Sequence, residues 1–223
     1  MASIRKTIVR MLHPVLKPLS KAYLGKVRDY ELGGMRIKVF PGVFHPGLFL
    51  STRILLKYIK AQELQGKTFL ELGSGTGLLS VQAAKSGAQV WASDISQRAI
   101  ENVQVNAKIN EVAFTTVLSD LFSSFEKGTF DWIIINPPYF AKEPQSEEEF
   151  AWYCGEDFSY FKGLFSQLHD FVHEDSNVVM ILSEDCDLTT IKNIALDNDF
   201  QMNELKTKRF LGEDSHLFQI QRK

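Results

Sequence analysis

The sequence predicts an α/β protein built on a seven-stranded, mostly parallel sheet with an antiparallel terminal strand. Helices cover both faces, and a short helix and hairpin lead into the sheet. Three observations carry this. Between residues 67 and 198, short β-branched runs alternate with segments of helical period, and one sheet built that way needs parallel strands joined by crossover helices. The tail 199–222 holds two strand-like runs with no helix between them, so they should pair antiparallel. The chain has 223 residues and 44% hydrophobic content, enough for one well-cored domain and an appendage.

In chain order, residues 3–12 can form a short amphipathic helix with Ile4, Ile8, Met11 and Leu12 on one face, ended by Pro14 and Pro18. Tyr30–Leu32 and Met35–Phe40 flank Gly33-Gly34, a two-residue hairpin signal. Gly42–Gly47 is a loop, and Leu48–Leu64 is a helix closed by Gly66. Lys67–Leu72 is then a strand, Gly77–Ser86 a helix, Ala88–Asp94 a strand, and Ser96–Ile109 a helix with Ser96 as its N-cap. Strands follow at Val112–Leu118 and Phe130–Ile135, a helix at Asp157–Glu174, a strand at Asn177–Ser183 and a helix at Leu188–Asn198. The last two strands surround a turn at Gly212–Ser215. Residues 1–40 are thus a basic extension with a hairpin, and 41–223 form the main domain.

Charge is unevenly distributed. Residues 1–28 hold seven basic residues and no acid, which leaves 18 basic against 27 acidic residues in the remainder. Such an arm suits phosphate contact, whereas the acidic body suits a protein or small-molecule substrate. The two cysteines, Cys154 and Cys186, show no metal-ligand spacing, so no metal and a reducing compartment are expected. Apolar runs are too short for a membrane span, and Arg5, Lys6 and Arg10 interrupt any signal-peptide core. A cytoplasmic monomer is expected.

The apolar run Phe130–Ile135 ends in Asn136-Pro137-Pro138-Tyr139. Two prolines cannot continue a sheet ladder, so the strand stops in a stiff turn carrying an amide and an aromatic ring. That combination can hold one flat, hydrogen-bonding nitrogen. Upstream, Glu71-Leu72-Gly73-Ser74-Gly75-Thr76-Gly77 lies where the first parallel strand enters its helix. Glycines there let backbone approach a ligand. Leu78 stands where a dinucleotide fingerprint would place its third glycine, and no Lys-Ser/Thr follows, so neither a dinucleotide loop nor a P-loop is present. Glu71 suits a cationic amino group better than a pyrophosphate. Asp94, followed by Ile95, ends the second strand and can accept both hydroxyls of a ribose. Ser119-Asp120-Leu121 follows the third strand and can hold an adenine amine and ring edge. Together these residues describe an adenosyl cofactor with a cationic amino-acid tail.

On these motifs the chain resembles the class I S-adenosylmethionine-dependent methyltransferases, over residues 40–222. The resemblance implies a Rossmann-like fold, S-adenosyl-L-methionine as cofactor, and Asn136–Tyr139 as the catalytic turn of the branch that methylates amide or base nitrogens. Within that branch the chain looks like the small-domain group, which includes the glutamine-N5 methyltransferases of peptide release factors and the guanine-N2 methyltransferases of ribosomal RNA. Gly42–Gly47, with Phe44, His45 and Pro46, is similar to the segment both kinds place over the cofactor. The glutamine enzymes usually carry Pro-Arg-Pro-Glu-Thr-Glu there, and the guanine enzymes usually end the turn in Phe, where this chain has Tyr139. A protein glutamine and an RNA base therefore both stay open as substrates, with the ribosome or a translation factor as a partner. Trp152 and Tyr153, in the loop after the turn, are candidate lid residues over the substrate.

Among other features, His169 and His173 share i, i+4 spacing but lack a zinc-protease pattern and read as solvated. Phe158, Tyr160, Phe161 and Phe165 read as helix core, and Glu147–Glu149 as a solvated face. An inactive cofactor-binding module and a nucleotide-dependent oxidoreductase are the competing functions. Intact Asn136, Asp94 and Gly73 speak against the first, and the glycine spacing against the second.

Overall fold

The computed structural model describes residues 25–210 and 213–223. The helix expected over 3–12 lies outside them. Strands β1 (Arg28–Leu32) and β2 (Met35–Val39) form an antiparallel hairpin across Gly33-Gly34. The remaining elements are α1 (Leu50–Ile59), β3 (Thr68–Leu72), α2 (Leu78–Lys85), β4 (Gln89–Asp94), α3 (Gln97–Ile109), β5 (Thr115–Leu118), β6 (Trp132–Ile135), α4 (Ser159–Leu168), β7 (Asn177–Ser183), α5 (Leu188–Asp197), β8 (Phe200–Phe210) and β9 (Glu213–Arg222). The seven-stranded sheet runs β5-β4-β3-β6-β7-β9-β8. Its first five strands are parallel, and β9 inserts antiparallel between β7 and β8. The crossovers run outward in both directions from β3 and β6, so the switch point lies between these two strands, where α/β sheets bind ligands.

Period-two alternation sorts side chains between two cores. Leu70, Leu72, Ile133 and Ile135 pack with α4 and α5, whereas Phe69, Trp132 and Ile134 pack with α1, α2 and β2. The four residues of β6 are all buried, as a central parallel strand requires. Met35, Ile37 and Val39 of the hairpin belong to the second core, so hairpin and sheet share it across the boundary expected at residue 40.

The hairpin is held by a device not anticipated from the sequence. Asn102, Asn106 and Asn110 occupy i, i+4, i+8 on α3 and are buried, which puts three carboxamides on one stripe. Their Oδ1 atoms accept from the backbone N–H of Phe40, Lys38 and Arg36 at 2.9, 2.8 and 3.2 Å. Their Nδ2 groups donate to Lys38 and Arg36 carbonyls. A helix thereby satisfies the edge of β2 as a neighbouring strand would.

Several boundaries differ from expectation. Helix α4 starts only at Ser159, because Gly155 (φ 85°) and Phe158 (φ 63°) turn the chain through left-handed conformations. It ends at Leu168 and passes into a 3-10 turn. His169 and His173 therefore share no helix face: His169 Nε2 meets the Asn198 carbonyl at 2.8 Å, and His173 Nε2 faces Asp131 at 3.7 Å. Strand β9 begins at Glu213, so Glu213–Ser215, expected in the last turn, are strand. Ser96 does cap α3, accepting from Ala99 N–H at 3.3 Å. Among the described residues no helix is long and apolar enough to cross a membrane, and no group of three or more His, Cys, Asp or Glu is placed to hold a metal ion.

Candidate active site

Leu72 and Ile135 are paired residues at the ends of β3 and β6. The glycine loop starts at the next residue of one strand and the Asn-Pro-Pro-Tyr turn at the next residue of the other. Both open into a single cavity of about 390 Å³ above the switch point. Its walls include Glu71, Gly73, Ser74, Gly75, Thr76, Asp94, Ile95, Ser119, Asp120, Leu121 and all of Asn136–Tyr139. From the flanking loops come Phe44, Pro46, Trp152 and Tyr153. Two expected residues stand apart. Gly77 is at the N-terminus of α2 with φ 71°, where an added Cβ would lie 3.0 Å from Val103, so it packs helices together and does not face ligand. His45 is buried behind the wall, its Nδ1 accepting from Gly47 N–H and its ring edge-on to Tyr30. Burial lowers its pKa, so the ring is neutral at pH 7 and shapes the loop that aims Phe44 and Pro46.

The loop is held from behind. Gly73 (φ 77°) and Ser74 donate to the Ser93 carbonyl at 2.9 and 2.8 Å, and Asn106 Nδ2 donates to the Thr76 carbonyl at 2.9 Å. Asp94 ties it to β4: Oδ2 accepts from Gly75 N–H at 2.8 Å and Oδ1 from Ser96 N–H at 3.0 Å. Each oxygen keeps a lone pair for a ligand. Burial raises the Asp94 pKa, against these backbone hydrogen bonds. Ser119 is spent on its own loop, donating to the Leu121 carbonyl and accepting from Ser124 N–H, which leaves Asp120 exposed at the wall.

Glu71 is buried under the loop, where Oε2 accepts from both the backbone N–H (2.7 Å) and the hydroxyl of Ser80. Burial outweighs these bonds and pushes its pKa up to about 8. Between the ordinary carboxylate range and pH 8, the folded chain therefore holds a proton that the unfolded chain has lost, so stability must fall as pH rises through that window. We expect the ligand-free protein to lose up to about 1.4 kcal/mol per pH unit there from this residue. Thermal melts from pH 5 to pH 8 should show a decline in Tm that Glu71→Gln flattens; parallel slopes in the two proteins would refute the assignment.

On the acceptor side, Trp152 O accepts from Tyr139 N–H and Phe140 N–H at 3.2 and 3.0 Å, and Phe140 O accepts from Cys154 N–H. The Asn-Pro-Pro-Tyr turn is thus clamped to the segment after it. Phe44, Phe49 and Trp152 form an aromatic cluster with centroids 4.7–5.4 Å apart, which joins the loop before α1 to this clamp. Cys154 is buried, its thiol pushed up to about 11 by desolvation, so it is no nucleophile at neutral pH. The sequence reading missed Phe49, Phe150, Ser93, Tyr160, Glu143 and Glu147. Tyr160 had been read as core, yet it lines the cavity near Asp94 and Asp120; its aromatic neighbours gave no sign of this.

The five acidic side chains in the wall (Glu71, which keeps its proton at pH 7, with Asp94, Asp120, Glu143 and Glu147) face no lysine, arginine or histidine in the lining among the described residues. Such a cavity admits a cationic or neutral ligand and disfavours a polyphosphate. Ser74 Oγ and Ser93 Oγ are buried in the wall with no hydrogen-bond partner among the described residues, so the loop retains polar atoms to spare.

The description "Methyltransferase small domain" matches residues 34–153, from the hairpin to the clamp after the catalytic turn. The chain belongs to this family. Over 120 residues the domain is 38% identical to a protein of Methanocaldococcus jannaschii described as a protein N5-glutamine methyltransferase, covering 53% of this chain and 57% of that one. Over 114 residues it is 34% identical to the ribosomal RNA small subunit methyltransferase C of Escherichia coli, covering 50% of this chain and 32% of that one. The methyltransferase domain thus spans about half or less of the length of these relatives. Among solved structures it superposes on the 16S rRNA N2 G1207 methyltransferase of T. thermophilus with a TM-score of 0.63 at 16% identity, over 88% of this chain and 50% of that one. That likeness establishes the α/β methyltransferase fold.

Proposed function

We propose that this chain is an S-adenosylmethionine-dependent N-methyltransferase acting on a planar nitrogen of a macromolecule, either a protein glutamine amide or an RNA base amine. The observation that carries the proposal is the pairing of Leu72 with Ile135, which brings the glycine loop and Asn136–Tyr139 to one cavity. The relatives named for protein glutamine and for ribosomal RNA support it. In this reading the chain works as a cytoplasmic monomer on the ribosome or a translation factor.

The wall fits the cofactor. Glu71, beneath the glycine loop, would hold the amino-acid tail, Asp94 would offer lone pairs to ribose hydroxyls, and Asp120, Ile95 and Leu121 would frame the adenine. S-adenosylmethionine, when bound, supplies a methyl group activated by a sulfonium. The chain's own residues have to orient the acceptor. An amide or aryl amine has a delocalised lone pair, and Asn136 Oδ1 with the Pro137 carbonyl can accept its two N–H hydrogens. That turns the lone pair into the cavity and stabilises positive charge developing on nitrogen. Pro137 and Pro138 hold these acceptors stiffly, and Tyr139 offers a ring for stacking, about 1–3 kcal/mol for a base.

Calorimetry with S-adenosylhomocysteine should give one site per chain and none with NADH. Tritiated methyl transfer into cell extract, followed by protease or ribonuclease digestion, then identifies the acceptor class. Failure to bind S-adenosylhomocysteine would refute the proposal.

A further inference from the structure

The acceptor half of the cavity has a charge and surface pattern that narrows the substrate. Glu71, Asp94 and Asp120 belong to the cofactor half. Glu143 and Glu147 lie in the segment between the Asn-Pro-Pro-Tyr turn and Tyr153, are exposed, and line the same cavity, Glu147 near enough to Asp94 to act on its carboxyl. Glu148 stands over the facing loop, its Oε1 2.9 Å from where a Cβ at Gly42 would sit. The three carboxylates come from one segment, and Glu148 carries its charge across to the facing loop. Lys26 and Arg28, the described basic residues of the 1–28 segment, do not line the cavity. The same acidic segment is aromatic: Phe140 and Phe150 are 40% and 41% exposed, unusually open for large apolar rings. A ring at this edge already holds a cation of the chain itself. The Lys142 ammonium sits 4.5 Å from the centroid of Tyr153, a ring of the cavity wall.

We propose that the acceptor nitrogen is presented on a cationic polypeptide segment, with lysine or arginine close on either side of it, and not on a nucleic-acid strand. The inference rests on the N-methyltransferase reading above. A strand bearing one phosphate per nucleotide would bring its anions among the carboxylates of Glu143, Glu147 and Glu148, set against the ammonium of Lys142 beside Tyr153. Lysine and arginine side chains suit the same surface twice over: their stems cover the exposed rings, and their charged heads reach the glutamates. Opposite charge at such a rim acts chiefly on encounter and selectivity.

The test is fluorescence anisotropy on the full chain, with saturating S-adenosylhomocysteine. The probes are a nonapeptide with a central glutamine between lysines and arginines, its counterpart with glutamates, and a single-stranded RNA 12-mer. The basic peptide should bind at least about tenfold more tightly than the acidic one. Glu143→Lys with Glu148→Lys, which leaves Glu147 beside Asp94 in place, should erase that preference and leave S-adenosylhomocysteine affinity within about twofold. Glu111→Lys, at the opposite end of the sheet, should change neither. Equal binding of the two peptides, a preference untouched by the charge reversal, or RNA displacing the peptide more effectively than unlabelled peptide would each overturn the proposal. Loss of S-adenosylhomocysteine binding would refute the cofactor reading alone, because the peptide preference can be measured without it.

Discussion

Asn136→Ala is expected to slow methyl transfer by about 10²–10³-fold while changing S-adenosylhomocysteine affinity less than about threefold. Asn136 follows the paired end of β6 and lines the cavity half-buried. Its backbone is held by the buried strand behind it and by the two prolines after it, so the carboxamide oxygen is presented with little freedom to reorient. Removing that oxygen takes away one of two acceptors for the nitrogen's hydrogens and leaves the glycine loop and Asp94 intact. Single-turnover transfer of tritiated methyl into the labelled acceptor reads the chemical step, and calorimetry reads the cofactor. A variant that keeps most of the wild-type rate would mean that the turn only shapes the cavity.

The second large effect falls on stability. Asn106 is fully buried on α3, and its carboxamide accepts from Lys38 N–H and donates to the Lys38 and Thr76 carbonyls, each at 2.8–2.9 Å. Asn106→Leu removes all three bonds and strands the Lys38 N–H of β2 and the Thr76 carbonyl of the glycine loop, while the Lys38 carbonyl keeps Asn102 Nδ2. At about 1–3 kcal/mol for each group stranded, a loss of about 3–5 kcal/mol is expected, with Tm falling by about 10 °C. Urea titration should show a lower midpoint with an unchanged slope. Because Thr76 belongs to the glycine loop, cofactor affinity should fall too, which Asn102→Ala should reproduce only weakly. A stability change under about 1 kcal/mol would show that water or relaxation replaces the ladder.

How far the site could be read in advance depends on the range of the interaction that makes each part. Gly73 and the double proline are legible because a left-handed φ and a blocked ladder are properties of a few consecutive residues. Asp94 is legible because the strand ends where it stands. The expected helix Asp157–Glu174 is shorter at both ends: the left-handed residue before Ser159 is Phe158, and the helix passes into a 3-10 turn after Leu168 with no glycine or proline there to signal it. Tyr160 shows the same limit from the other side. An aromatic at helical spacing is buried either by core or by ligand wall, and periodicity cannot tell one from the other.

The sequence by itself determined the order of strands and helices, the two motifs at strand ends and the polarity of the cofactor site, since each follows from local backbone preference or from the charge of a single residue. Tertiary structure decided what lies sixty and more residues apart in the chain: that Leu72 pairs with Ile135, that Asn102, Asn106 and Asn110 serve as a strand edge for the hairpin, that Phe44 meets Trp152, and that Glu143 and Glu147 line the same cavity as Glu71. Those outcomes depend on which faces of distant elements pack together. A one-residue change of register would reverse them without altering any local signal.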